Sequence, residues 1–314
     1  MTAQRPAWPD IPYPAWQDTC TTLHLWTQVV GKVRLALTPW TNHSWHVPLY
    51  VTARGLGTSL IPDPRGGFEM EFDFVSQVLA IRTASGDDQS ILLEPRSVAD
   101  FHQAVMEGLE SLGHGLTIHG SPNEVPDAIP FAEDETHAAY DPEYARRFWE
   151  ALMRMEAVFT AFRARFIGKC SPVHFFWGSF DLAVTRFSGR TAPPHPGGFP
   201  NLPDDVTREA YSHEVSSAGF WPGGGPTDYA AFYSYAYPTP DGFGAQSVAP
   251  PEAFFHEELG EFLLPYDAVR TAADPEDCLM QFLESTYAAA ADLGAWDRAA
   301  FERRLDSGAA AGED

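Results

Sequence analysis

Cysteine is scarce. Three residues in 314, Cys20, Cys170 and Cys278, form an odd set at no metal-ligand spacing. That pattern predicts reduced thiols and a cytoplasmic location. Positive charge is scarce too: 20 Lys and Arg against 43 Asp and Glu give a formal net charge of −23. Such a surface repels phosphate backbones and anionic lipid, which argues against nucleic acid and membranes as partners. No apolar run reaches the roughly 20 residues of a membrane helix. The stretch Met1 to Pro14 lacks the basic segment and apolar core of a signal peptide. Also missing are the Gly-x-Ser-x-Gly elbow, the phosphate loop, the dinucleotide fingerprint, Cys-x-x-Cys, a His pair at i, i+4, internal repeats and sustained heptads. These absences leave the cofactor unknown and give no ready-made metal site.

What is present is a well-supplied core, with 44% hydrophobic and 13% aromatic residues. Residues 1–19, rich in Pro and Trp, read as extended surface chain, and Thr21 to Val30 as a short helix. Trp45, Val47, Leu49 and Val51 alternate with His46, Pro48, Tyr50 and Thr52, which predicts an edge strand. Phe68, Met70, Phe72 and Phe74 alternate with Glu69, Glu71 and Asp73, and Val78–Thr83 and Ser90–Leu93 continue an antiparallel meander. The three carboxylates read as a solvated strand face. Ser97 caps a helix whose stripe is Val98, Phe101, Val105, Leu109 and Leu112; a short strand is expected near Leu116 to His119.

Asp141-Pro142 opens the longest helix, 141–167, striped by Tyr144, Phe148, Leu152, Met155, Phe159, Phe162 and Phe166. Beyond it, Arg208 to Ser217 and Ala231 to Tyr237 read as strands, with a further strand at Glu261 to Leu264. Asp274-Pro275 opens a helix through Ala291, and Trp296 to Leu305 forms the last one. Strands cluster instead of alternating with helices. The fold class is therefore α+β, with mainly antiparallel sheet, a long central amphipathic helix and C-terminal helices. Residues 1–130 form a meander-plus-helix half and 137–305 a helix-plus-sheet half, joined as one unit, and 306–314 a mobile tail.

The run Gly168 to Arg190 is too aromatic for a linker and too polar for an ordinary core strand. Aromatic walls with a few polar groups are what a ligand pocket needs. Taken as one extended segment, 173–185 places Trp177 and Asp181 on one face and His174 and Phe176 on the other. The candidate proton-transfer set is His213 and His46, oriented by Asp181 or Glu214. Arg186 or Arg190 would hold a substrate anion, and Trp45, Trp177, Tyr211 and Trp221 would wall the pocket. An ordinary structural alternative pairs Asp181 with Arg186 or with an arginine of the long helix.

Gly31 to Leu37, Asn42 to Arg54, Gly168 to Arg190 and Arg208 to Gly225 resemble segments of a bacterial family of unknown function. The resemblance covers about residues 10 to 305 and implies a single full-length unit. It brings no activity, cofactor or catalytic residue with it. The side chains alone therefore predict a soluble enzyme acting on a small, partly aromatic or apolar molecule by acid–base chemistry. Two alternatives stand beside it: a non-catalytic binding protein, and a metal-dependent hydrolase or oxygenase built on converging histidines. The oligomeric state is not legible.

Overall fold

The computed structural model describes residues 7–225 and 227–303. Two antiparallel sheets carry the fold. The first runs in chain order through β1 (Tyr50–Val51), β2 (Gly55–Gly57), β3 (Phe68–Asp73), β4 (Val78–Thr83) and β5 (Asp88–Leu92). The second is formed by β6 (His174–Phe176), β7 (Asp181–Thr191), β8 (His213–Trp221), β9 (Ala231–Tyr237), β10 (Phe254–His256) and β11 (Glu261–Pro265), in the order β10-β11-β9-β8-β7-β6. Leu49 and Phe175 exchange two backbone hydrogen bonds of 2.9 Å, which stitch the two sheets together.

Helices α1 (Tyr13–Leu37), α2 (Val98–Ser111), α3 (Pro142–Ala164) and α6 (Pro275–Leu293) supply the remaining layers; α4 (Asp204–Ala210), α5 (Tyr266–Arg270) and α7 (Arg298–Phe301) are short. Side chains of Ser97, Asp141 and Asp274 accept from backbone N–H groups in the first turns of α2, α3 and α6. Those three caps fix the helix starts where the sequence predicts them. One hydrophobic cluster runs through both halves, from Trp26 and Phe72 to Phe159, Phe232 and Phe282.

Four expectations need correcting. First, α1 begins at Tyr13 and spans 25 residues, not a short stretch from Thr21. It is buried nearly all round, so it shows no amphipathic stripe for periodicity to detect. The predicted tail at 306–314, and residues 1–6, lie outside the described residues.

Second, only Tyr50 and Val51 are strand in the 45–52 segment. His43 and Ser44 adopt φ of 57°, which coils the entry into a turn. Third, residues 204–210 are helical, so β8 starts at His213 and the predicted strand loses its first half. The segment near Leu116 to His119 is likewise irregular.

Fourth, and decisive for the site, 173–185 is not one extended segment. Residues 177–180 form a turn, with Phe180 at φ 56°, and the chain doubles back as the β6–β7 hairpin. Phe176 then opposes Asp181, and His174 opposes Ala183. Opposed residues share a face. His174 and Phe176 therefore stand with Asp181, on the face where Trp177 was expected.

Candidate functional site

The second sheet has two unlike faces. Leu182, Val184, Phe220, Phe232 and Leu264 are buried, and all stand on the face that packs against α3 and α6. The opposite face carries Asp181, Thr185, Ser217, Gly219, Trp221, Tyr233, Tyr235 and Glu261, placed together by the register of β7, β8, β9 and β11.

Hydrogen bonds tie this second face into a network. The Tyr233 hydroxyl donates to Asp181 Oδ2 at 2.5 Å. The Tyr211 and Tyr235 hydroxyls are hydrogen-bonded at 2.8 Å, and the Thr185 and Ser217 hydroxyls lie 2.9 Å apart. Trp221 stacks on Tyr233 with ring centroids 4.3 Å apart, and Tyr233 stacks in turn on Tyr235 at 6.0 Å. Gly219 makes the central bond possible. A Cβ there would stand 2.3 Å from the Tyr233 hydroxyl and 2.5 Å from the Leu182 carbonyl oxygen. Without a side chain at 219, the tyrosine ring crosses the strand to reach Asp181.

The wall beside Asp181 is built from α1. Gln28 accepts from the Asn123 backbone N–H at 2.7 Å and donates to its carbonyl at 2.9 Å. Lys32, buried, donates to the Asn123 side chain. These bonds set Glu124 against the β6–β7 turn, where it accepts from the Ser179 hydroxyl at 2.5 Å. The Glu124 N–H donates to Pro200 at 2.8 Å, which anchors the 193–203 loop to the same wall. From that loop, His195 stacks on Tyr211 at 4.6 Å.

The electrostatics follow from burial without a paired cation among the described residues. Desolvation drives the Asp181 carboxyl up to about 7; the nearby Glu124 carboxylate adds to the rise and the Tyr233 hydrogen bond opposes it. Desolvation, with Asp181 behind it, pushes Glu261 up to about 8. Burial likewise raises Tyr233 and Tyr211 well above the usual phenol range. The same desolvation pushes His174 down to about 3, so the ring is neutral. Asp181 thus titrates near neutrality beside a bonded phenol, which suits a group that holds and releases a proton.

The other candidates from the sequence disperse. Arg186 lies on the opposite face from Asp181, its guanidinium 3.4 Å from the Phe162 ring, 4.3 Å from that of Tyr287 and 3.6 Å from Glu284. The Asp181–Arg186 pairing is therefore not made. Trp177 packs on Gly31 of α1 and donates to the Val47 carbonyl at 2.8 Å. His213 pairs across to Thr191. Ten residues of β7 separate it from Asp181, about 30 Å of strand. Its neighbours are Ser212 and the ring of His43, the latter 6.1 Å away.

Trp45 joins that second group, 5.2 Å from His43, whose Nε2 accepts from Lys169 at 2.6 Å. His46 stacks on Trp40 and accepts from the Thr41 N–H, away from both groups. Glu214 bonds Arg190 at 2.6 Å, and Arg190 also donates to the Gly294 and Ala295 carbonyls at the end of α6. Of the predicted set, the structure brings together Asp181, Tyr211 and Trp221. The sequence reading missed Tyr233, Glu261, Glu124 and Gly219 as members; the alternation of Tyr233, Tyr235 and Tyr237 was the one signal in the chain that pointed to this face.

Among the described residues no three His, Cys, Asp or Glu side chains converge as a metal ligand set. No described helix is long and apolar enough to cross a membrane. Fold and site together define an α+β protein of two stitched antiparallel sheets, one of which bears a carboxylate–tyrosine face. The chain belongs to a family of unknown function (DUF5996), which it matches over residues 8–303. No curated protein and no solved structure matches it.

Proposed function

We propose that the chain binds a small molecule on the carboxylate–tyrosine face and moves a proton on it, with Asp181 as the acid–base group. The observation that carries this reading is the 2.5 Å bond from the Tyr233 hydroxyl to an Asp181 that no Lys or Arg among the described residues pairs with. Burying a carboxylate without a counter-charge costs stability, and a core of apolar residues would avoid that cost. Function is a reason to keep it. In this reading Tyr233 holds the Asp181 carboxylate in one orientation and donates to it when it is ionised. Trp221 and the tyrosine rings supply apolar contact, and the Tyr211–Tyr235 hydroxyl pair supplies a second donor–acceptor point.

The test is a thermal-shift screen of small hydroxy-, keto- and amino-substituted aromatics, followed by incubation of each hit in deuterated water. The wild-type chain should exchange a carbon-bound proton of a hit. Asp181→Asn should slow that exchange by about a hundredfold or more while still binding. Hits that bind and exchange equally in wild type, Asp181→Asn and Tyr233→Phe would dismiss the assignment.

A further inference from the structure

Close to Asp181 and Glu261 the charge is negative, and Lys32, the nearest wall cation, is held by the Asn123 side chain. Beyond burial, Asp181 is raised by Glu124 and Glu261 by Asp181, and among the described residues no Lys or Arg offsets the rise at Asp181, Glu261 or Glu124. The ring faces are electron-rich: Trp221 on Tyr233, Tyr233 on Tyr235. Two of the buried polar groups that lack a partner among the described residues stand on this face. Oε2 of Glu261 is buried without a hydrogen bond. His174 is 1% exposed, neither of its ring nitrogens is bonded, and its ring lies among Trp45, Tyr50 and Phe176, where burial, helped by Arg34 and Arg163, keeps it neutral. It stands on the same face, opposite Ala183, whose other neighbour is Gly219. At the far edge His256 opposes Glu261 and lines a depression of about 460 Å³ with Tyr13, Thr227, Asp228 and Tyr229.

Carboxylates and aromatic faces share one preference. They favour a positive guest with N–H or N–C–H groups to offer and an apolar body to pack, and they repel an anion. We propose that the ligand of this face is an organic cation, an ammonium group on an apolar or aromatic body, with Asp181 and Glu261 as its counter-charges and Trp221, Tyr233 and Tyr235 as its walls. This inference rests on the carboxylate–tyrosine face being the ligand site, and it names the class of ligand. The unpaired Glu261 oxygen is an acceptor that such a guest would satisfy.

Three probes with one aromatic body and different charge test it: phenethylammonium, 2-phenylethanol and phenylacetate, titrated calorimetrically into the full chain at about pH 8.5, where Asp181 and Glu261 are largely ionised and the amine is still protonated. Phenethylammonium should bind at least about tenfold more tightly than either of the others. Glu261→Gln should bring its affinity to within about threefold of that for 2-phenylethanol. Glu69→Gln, which removes one negative charge from the first sheet, should leave the preference unchanged and so controls for long-range attraction. A retained unfolding midpoint in Glu261→Gln shows that the fold survives. Equal or tighter binding of 2-phenylethanol or phenylacetate overturns the cationic class. If that binding is lost in Asp181→Asn, the acid–base reading of the face survives its failure. Absence of binding by all three probes also overturns the inference.

Discussion

At the scale of single residues, two positions bear most of the weight. Asp181 has its carboxyl raised from 3.8 to about 7 by burial. A carboxyl raised in the folded state binds an extra proton there, so its contribution to stability is present below about pH 4 and lost as pH rises through about 7. Asp181→Asn removes that dependence. Relative to the variant, the wild-type chain should lose up to about 4 kcal/mol between pH 4 and 8, read from urea unfolding at each pH. Parallel curves would contradict the burial argument. Glu261 acts in the same direction through about pH 8, so some slope persists in the variant.

Gly219 is the second position. A methyl group there meets the Tyr233 hydroxyl at 2.3 Å and backbone oxygen at 2.5 Å, and the backbone cannot give way cheaply. Gly219→Ala should cost about 1–3 kcal/mol and break the Tyr233–Asp181 bond. A variant with unchanged stability and an unchanged Asp181 titration would show that the ring has another route. The sequence offered little hint of this: a glycine in a strand signals close approach in general, not which ring approaches.

At the scale of elements, Arg186 is the clearest case of a polar side chain whose work is structural. It projects from β7 between α3 and α6, against Phe162 at 3.4 Å, Phe166 at 5.2 Å and Tyr287 at 4.3 Å, with Glu284 at its outer side. Arg186→Ala removes a buried cation from an aromatic setting and should destabilise by about 3–5 kcal/mol. Ligand affinity of the remaining folded chain should not change, since the guanidinium faces away from Asp181. A selective loss of ligand affinity with stability intact would restore the anion-holding role expected from the sequence.

The same scale shows why some elements were legible and others not. The helices opened by Ser97, Asp141 and Asp274 carry a cap and a one-sided stripe, so residue order alone locates them. Helix α1 is buried on nearly every side, and a helix without a polar face leaves no period to read. The β6–β7 hairpin was hidden because its turn includes a left-handed Phe180 in place of the usual glycine or asparagine. Missing that turn puts His174 and Phe176 on the wrong face, since side chains alternate at a period of two.

At the scale of the whole molecule, the α+β class was legible from clustered strands, and so was the antiparallel meander of the first sheet. The site was only partly so. Its tyrosines alternate visibly on β9, but Glu124 and Glu261 arrive from segments that no local pattern links to Asp181. The net charge of −23 bears on the whole chain as self-repulsion. Raising sodium chloride from about 0.02 M to about 0.3 M should therefore raise the unfolding midpoint by a few degrees, because screening shortens the reach of that repulsion. A falling midpoint would mean that the surface ion pairs outweigh it.

The central claim is that Asp181 carries a proton near neutrality on a face shared with Tyr233, and a carbon-13 NMR titration of the aspartate side-chain carboxyls tests it most directly. The Asp181 signal, assigned by its disappearance in Asp181→Asn, should titrate near pH 7 in the wild-type chain. It should move still higher in Tyr233→Phe, where the hydrogen bond that favours the ionised form is gone. A midpoint near 4 in the wild-type chain, in the range of an ordinary exposed aspartate, would contradict it.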